Sequence, residues 1–385
     1  MNIDVDFPDM GYYIYNNKFY TDKFLIFQDA LLNKDYDPKI KFWFHDELYK
    51  TIDTTEEPIF DISFLYKLRA QKLREKYDKI ILMYSGGSDS HQVLMTFLKN
   101  DIFIDEIHVV ALESALEKID IIPNPYHPYG LYFEHQLSVI PMLKHISIVS
   151  PNTKIKIFDY THKICEFYSE RFTTDKLDLN QPRHFFMNHN SGILRAGYMA
   201  EYLQEYIDSY GGKNGIIIGS DKPYIYLTHD TVFLAFGDDI RSGTKYQTIK
   251  NKTNNYNVEM FFWNGDVPLI PVKQAHMIKK YLSLHPEYAN KRNNIDEWLN
   301  EMKTIIYPDW NNDIYQKKQK GNDEKIVSDL FPELKLDNII RYKKDFFFDK
   351  FKKLKRFSNE NALLSTKTET IFSNFYKIGK YRHII

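Results

Sequence analysis

The feature that most constrains this chain is an apolar strand that runs directly into glycines and then into a helix. Lys79–Tyr84 (KIILMY) is a short, nearly continuous apolar run, the pattern of a parallel strand covered on both faces. Ser85–Ser90 (SGGSDS) follows, and Asp89–Leu98 carries helical spacing through Val93, Leu94 and Phe97. Gly86 and Gly87 let the backbone turn tightly and approach a ligand closely. A helix starting at such a loop directs unpaired N–H groups and its positive dipole end at an anion. Ser85, Ser88 and Ser90 add hydroxyl donors, and Asp89 is placed either to cap the helix or to help hold a metal-bound phosphate. The loop lacks the lysine and spacing of GxxxxGK[ST], which argues against kinase or GTPase chemistry.

The flanking pattern extends this unit. Ile107–Leu112 (IHVVAL), Thr153–Phe158 (TKIKIF) and Asn214–Gly219 (NGIIIG) read as further buried strands, with helices over Leu131–His145 and Phe185–Tyr210. This alternation predicts an α/β fold with a parallel sheet, flanking helices and right-handed crossovers. Upstream, Asn16–Asn17 separates YYIY from KFYT as a hairpin turn, and Ile40–Phe44 is a second strand-like run. Phe64–Tyr77 is a connecting helix. Downstream, Tyr224–Leu227 and Val232–Phe236 form a strand pair, Val267–Leu284 a helix, and the polar residues 308–325 a mobile segment or lid. The expected division is a small N-terminal β-containing module (1–60), a loop-bearing α/β domain (61–245) and a mostly helical substrate or lid region (246–385).

Composition removes several classes of chemistry. Cys165 is the only cysteine, so one chain cannot assemble a disulfide framework, a four-cysteine zinc site or an iron–sulfur cluster. The histidines lack accepted ligand spacings. A formal net charge of -1 is not that of a globally basic nucleic-acid binder. MNIDVDFPDM has no charged-then-apolar signal pattern, and no run approaches the roughly 18 apolar residues of a membrane span. The expectation is a cytoplasmic protein with no membrane partner.

Tyr84-SGGSDS-His91 resembles the signature of the PP-loop ATP pyrophosphatases, the adenine nucleotide alpha hydrolase-like proteins. Asparagine, GMP and NAD synthetases and tRNA lysidine synthetases share it. The resemblance covers roughly residues 78–240 and implies a Rossmann-like (HUP-type) sheet with ATP and Mg2+ as cofactors. It implies attack of a substrate oxygen on the α-phosphate, release of pyrophosphate, and displacement of AMP by a nucleophile. Transferred by position, Ser85, Gly86, Gly87, Ser88, Asp89 and Ser90 hold the phosphates, with Asp89 touching Mg2+ through them. Adenine falls near Ala111, Leu112 and Glu113. Gly219, Ser220, Asp221 and Lys222 form a second phosphate-facing loop at the carboxyl edge of the sheet, with Lys222 neutralising developing charge. An ordinary strand-to-loop turn is the other reading of Gly219–Pro223. Asp89 and Lys222 are the expected catalytic residues, and a homodimer is the assembly common among such enzymes.

Weaker candidates lie outside the motif. Arg195, in NHNSGILR, is either a bidentate grip for a phosphate or substrate carboxylate or a solvated helix arginine. Lys273, beside Gln274, is a substrate or phosphate ligand or simply part of a helix start after Pro271. Lys343–Arg356 (KKDFFFDKFKKLKR) mixes basic and aromatic residues. Docking of its phenylalanines, with a solvated basic face, is the preferred reading over contact with nucleic-acid phosphates.

Three functions remain open at this stage. The first is a ligase or amidotransferase-like enzyme that adenylates a small-molecule oxygen for attack by an amine or ammonia. Asn2 stands where glutamine-using asparagine synthetases carry a nucleophilic cysteine, so ammonia would come from solution or a partner, or an amine would be the substrate itself. The second is modification of a nucleobase acceptor in tRNA, DNA or a free deazapurine. The missing cysteines argue against its sulfur-handling versions. The third is a non-catalytic nucleotide-binding protein.

Overall fold

The computed structural model describes residues 8–21, 23–120, 130–161, 206, 209–219, 223–238, 255–290, 295–311, 329–332, 351–355 and 370–381. After a 3-10 turn at Pro8–Met10 comes a hairpin, β1 (Tyr12–Tyr15) and β2 (Lys18–Tyr20). Asn16 and Asn17 turn it with φ of 47° and 61°, the left-handed pair that a two-residue hairpin needs. Helix α1 (Lys23–Leu32) precedes β3 (Lys41–Trp43), which pairs antiparallel with the other edge of β1. Two helices follow, α2 (Asp46–Thr51) and α3 (Ile62–Lys76). Asp61 starts α3 by accepting from Phe64 N at 2.8 Å.

The central unit then unfolds as alternating strand and helix. It runs β4 (Lys79–Met83), α4 (Ser88–Lys99), β5 (Glu106–Ala111) and α5 (Glu113–Leu116). Next come α6 (Gly130–Glu134), a π-helical turn (His135–Val139), α7 (Ile140–Val149) and β6 (Lys154–Asp159). Strand β7 is Asn214–Ile218. A second antiparallel pair, β8 (Tyr224–Thr228) and β9 (Thr231–Ala235), leads to β10 (Tyr256–Met260). The remainder holds α8 (Leu269–Leu284), α9 (Glu287–Asn290), α10 (Ile295–Ile306) and β11 (Tyr376–Lys380).

Five strands form one sheet in the order β10-β7-β4-β5-β6, and every pairing is parallel. The chain starts at the central β4, winds outward through β5 and β6, then returns to the other side of β4 for β7 and β10. Every residue of β5 and β7 is buried, which explains the apolar stretches Val109–Ala111 and Ile216–Ile218; Glu106, His108 and Asn214 are the polar exceptions. The α/β architecture with a parallel sheet and flanking helices thus agrees with the sequence pattern. The third sheet, β11-β9-β8, recruits a strand from near the chain's end. No helix among the described residues is long and apolar enough to cross a membrane.

Strand β10 comes from residues that the sequence pattern left to a mostly helical region. Its disguise is chemical: Glu259 reads as a surface residue yet is buried. Arg69 of α3, fully buried, donates to Glu259 at 2.7 Å, to Asp266 at 2.6 Å and to Met260 O at 3.0 Å. Lys76 adds a 2.6 Å contact, and the Tyr77 hydroxyl donates to the same carboxylate. Burial alone would raise the Glu259 carboxyl, but the Arg69 charge and the bonds from Lys76 and Tyr77 bring it below its ordinary value.

Two further ionic clusters anchor the periphery. Asp238, fully buried, receives Lys23 at 3.1 Å, the Tyr13 hydroxyl at 3.0 Å and Ile371 N at 3.1 Å. This ties the N-terminal module to the end of the β8–β9 pair and to the segment that precedes β11. Near the amino end of β5, Glu106 accepts from His108 at 2.9 Å, Tyr206 at 2.9 Å and Tyr210 at 2.5 Å, with Lys79 and Lys156 at 3.5 and 3.6 Å. Burial would raise this carboxyl, but the His108 and Tyr210 bonds and the Lys156 charge hold it down to about 2.

Of Lys343–Arg356, residues 351–355 are described. Phe351 and Leu354 are buried, Phe351 edge-on to Phe27 with ring centroids 5.9 Å apart, while Lys352, Lys353 and Lys355 face outward.

Arg69→Leu removes the buried charge that faces Glu259 Oε2 and is expected to cost about 3–5 kcal/mol of stability, read by urea unfolding. Glu106 titrates near 4.5 when exposed and about 2 when folded. Its contribution is therefore complete above pH about 4.5 and is lost as pH falls toward about 2. Glu106→Gln is expected to flatten this acid limb in circular-dichroism unfolding curves collected across that range.

Candidate functional site

The reversal of winding falls between β4 and β7, and both strands end at the same edge of the sheet. Such a switch point opens a crevice at the carboxyl ends of the strands. Tyr84 N donates to His108 O at 2.9 Å, carrying the β4–β5 pairing to the rim, and the chain then turns through Ser85, Gly86 and Gly87. Gly86 has φ of +78°, and a Cβ there would stand 2.6 Å from Val139 Cγ2. Ser138 Oγ donates to Gly86 O at 2.8 Å. The π-helical turn thus presses two successive side chains, Ser138 and Val139, onto one glycine.

The serines divide their labour. Ser90 Oγ accepts from Ser85 N at 3.2 Å and donates to Gly87 O at 3.1 Å, while Ser85 Oγ sits 3.1 Å from it. Ser88 and Ser90 are buried, and Ser85 is the exposed hydroxyl of the three. Ser90 therefore holds the loop's shape rather than presenting itself at the rim. Gly87 is the N-cap of α4 and brings no capping side chain, so backbone amides rather than a side chain define this helix end.

Gly219 follows β7 directly. A Cβ on it would lie 2.8 Å from both Asp89 O and Val93 Cγ2, so its backbone rests against the first turn of α4. Gly219, the described residue of the second loop that the sequence singled out, meets the start of α4 here. Ala111 and Leu112, both buried, end β5 on the opposite side of β4, and Glu113 places Oε2 3.0 Å from His135 Nε2. Glu134 Oε1 lies 3.4 Å from where a Gly87 Cβ would be. Asp159, ending β6, accepts from Ser114 N at 3.2 Å, from the Ser114 hydroxyl, and from Thr161 Oγ1 at 2.6 Å. Burial opposes its charge, but these bonds leave the Asp159 carboxyl below its ordinary value.

Asp89 stands in the first turn of α4, and the Tyr307 hydroxyl donates to its Oδ1 at 2.6 Å. His91 is buried, which pushes its imidazole down to about 4; Tyr84 OH lies 3.4 Å from its Nδ1. Lys273 is engaged elsewhere: its ammonium contacts Glu57 at 2.6 Å and Pro58 O at 3.0 Å in the N-terminal segment. Arg195, Ser220, Asp221 and Lys222 lie outside the described residues. Sequence reasoning missed Ser138, Val139, Glu134 and Tyr307, which reach the loop from distant segments. Only the Pro308 break just after Tyr307 hinted that a helix ends there.

No protein-family model matches the chain, and no curated protein or solved structure matches it either.

Gly86→Ala meets left-handed strain of about 1–2 kcal/mol and overpacking of about 1–3 kcal/mol against Val139. A lowered urea midpoint with an unchanged m value is the expected result.

Proposed function

We propose that the chain binds ATP at the β4–α4 loop and activates a substrate oxygen by an AMP-forming reaction. The observation that carries this reading is the SGG turn at the switch point of a parallel sheet, opening on a helix capped by glycine alone. The strand order, with the first strand central and the fourth beside it, suits a Rossmann-like sheet of the HUP type. Ser85, Gly86, Gly87 and the amides of Ser88, Asp89 and Ser90 would hold the phosphates. The backbone at Ala111 and Leu112 would border the adenine, and Gly219–Lys222 would close the other side.

Asp89 fits a magnesium ion carried by the nucleotide. Mg2+ on phosphates usually takes only one or two carboxylates from the protein. Among the described residues no group of three His, Cys, Asp or Glu side chains forms a dedicated cage. The metal would supply charge neutralisation at the phosphates. The chain's own residues would orient the α-phosphorus toward an acceptor oxygen. That oxygen bonds to phosphorus as the bond to pyrophosphate breaks, and an amine or ammonia then displaces AMP. Lys222 would stabilise the charge that develops in the first step.

Supplied with α-labelled ATP, Mg2+ and a deproteinised cell extract as acceptor source, the protein is expected to yield labelled AMP. Labelled ADP in its place overturns the reading. Asp89→Ala and Lys222→Ala are each expected to slow AMP formation by about 10²-fold.

A further inference from the structure

Helix α4 is gripped along one face by the residues that follow α10. Tyr307 contacts Asp89, and Asp309 accepts from Gln92 Nε2 at 2.9 Å while its own N–H donates to Gln92 Oε1 at 3.0 Å. Lys99 pairs with the same Asp309. Asp89, Gln92 and Lys99 lie three and seven residues apart, a single stripe of the helix. The Tyr307 ring is itself immobilised. It is fully buried, its centroid lies 5.0 Å from that of Phe262, and the Tyr307 backbone N–H donates to Lys303 O at 3.0 Å.

We propose that Tyr307 is a positioning residue that aims the Asp89 carboxylate at the metal-bound phosphates of ATP. The inference rests on the ATP reading above. A half-buried aspartate in the first turn of a helix has several staggered rotamers open to it. A short bond from a hydroxyl on a locked ring selects one and leaves the carboxylate in place before nucleotide arrives. The Gln92–Asp309 pair keeps the Tyr307 segment in register with α4, so the C-terminal region helps to shape a site whose loop lies more than 200 residues earlier in the chain.

The test is ATP affinity by calorimetry, measured with Mg2+ and again in EDTA, for wild type, Tyr307→Phe, Asp89→Asn and the double variant. Tyr307→Phe keeps the ring and removes one oxygen, and thermal unfolding checks that the fold is retained. Wild type is expected to bind more tightly with the metal. Tyr307→Phe should lose about tenfold of that gain while its affinity in EDTA stays within about twofold. In the Asp89→Asn background it should change neither value. Equal weakening with and without metal is the mark of a merely structural residue and overturns the proposal. An unchanged metal gain in either single variant overturns it as well, as does an additive loss in the double variant. A wild-type chain that fails to bind ATP under both conditions removes the proposed function itself, and this role with it. A wild type that binds ATP and forms AMP, beside a silent Tyr307→Phe, overturns this inference alone.

Discussion

The candidate site depends on one steric constraint, the contact between backbones at the carboxyl edge of the sheet. Strands β4 and β7 are hydrogen-bonded neighbours, so the loops that leave them must diverge or touch. Here Gly219, the first residue after β7, touches the start of α4 and brings no side chain to the contact. Gly219 rests on the carbonyl of Asp89, and Gly86 turns under Ser138 and Val139. Neither position has room for a methyl group. With no side chain on either glycine, main-chain groups and the start of α4 line this edge beside the exposed Ser85 hydroxyl and the Asp89 carboxylate.

Beyond this edge the molecule is held by buried charge. Arg69 with Glu259, Lys23 with Asp238, and Glu106 with Tyr206 and Tyr210 each join elements far apart in sequence. Such pairs recover little net energy, because desolvation offsets most of the attraction. Their geometry is demanding, however, and a misplaced partner leaves an uncompensated charge inside. For α3 against β10, and for the N-terminal hairpin against the β8–β9 pair, these contacts specify one arrangement among many apolar ones of similar burial.

The C-terminal residues belong to the site as much as the motif does. Tyr66 donates to Ile306 O at 2.8 Å and receives Gln274 at 2.8 Å, linking α3, α8 and the end of α10. Tyr307 and Asp309 then reach α4. The loop at residues 85–87 is local in sequence, but its setting is assembled from three separate stretches of chain.

What could be read from the residues alone was whatever local backbone chemistry determines. The Asn16–Asn17 turn, the apolar runs of β4, β5 and β7, and the glycine-rich start of α4 all follow from conformational preference and burial on both faces. Strand β10 escaped because its polarity is cancelled by Arg69 and Lys76, partners nearly 200 residues away. The π-helical turn escaped because an extra residue in a helical turn leaves the apolar pattern of Leu131–His145 almost unchanged. Lys273 could be read as a ligand or as part of a helix start; it lies early in α8, and its ammonium contacts Glu57. A sequence declares the conformations its own neighbours impose. Only the tertiary structure decides which charges meet, because that depends on distances between residues that share no local backbone.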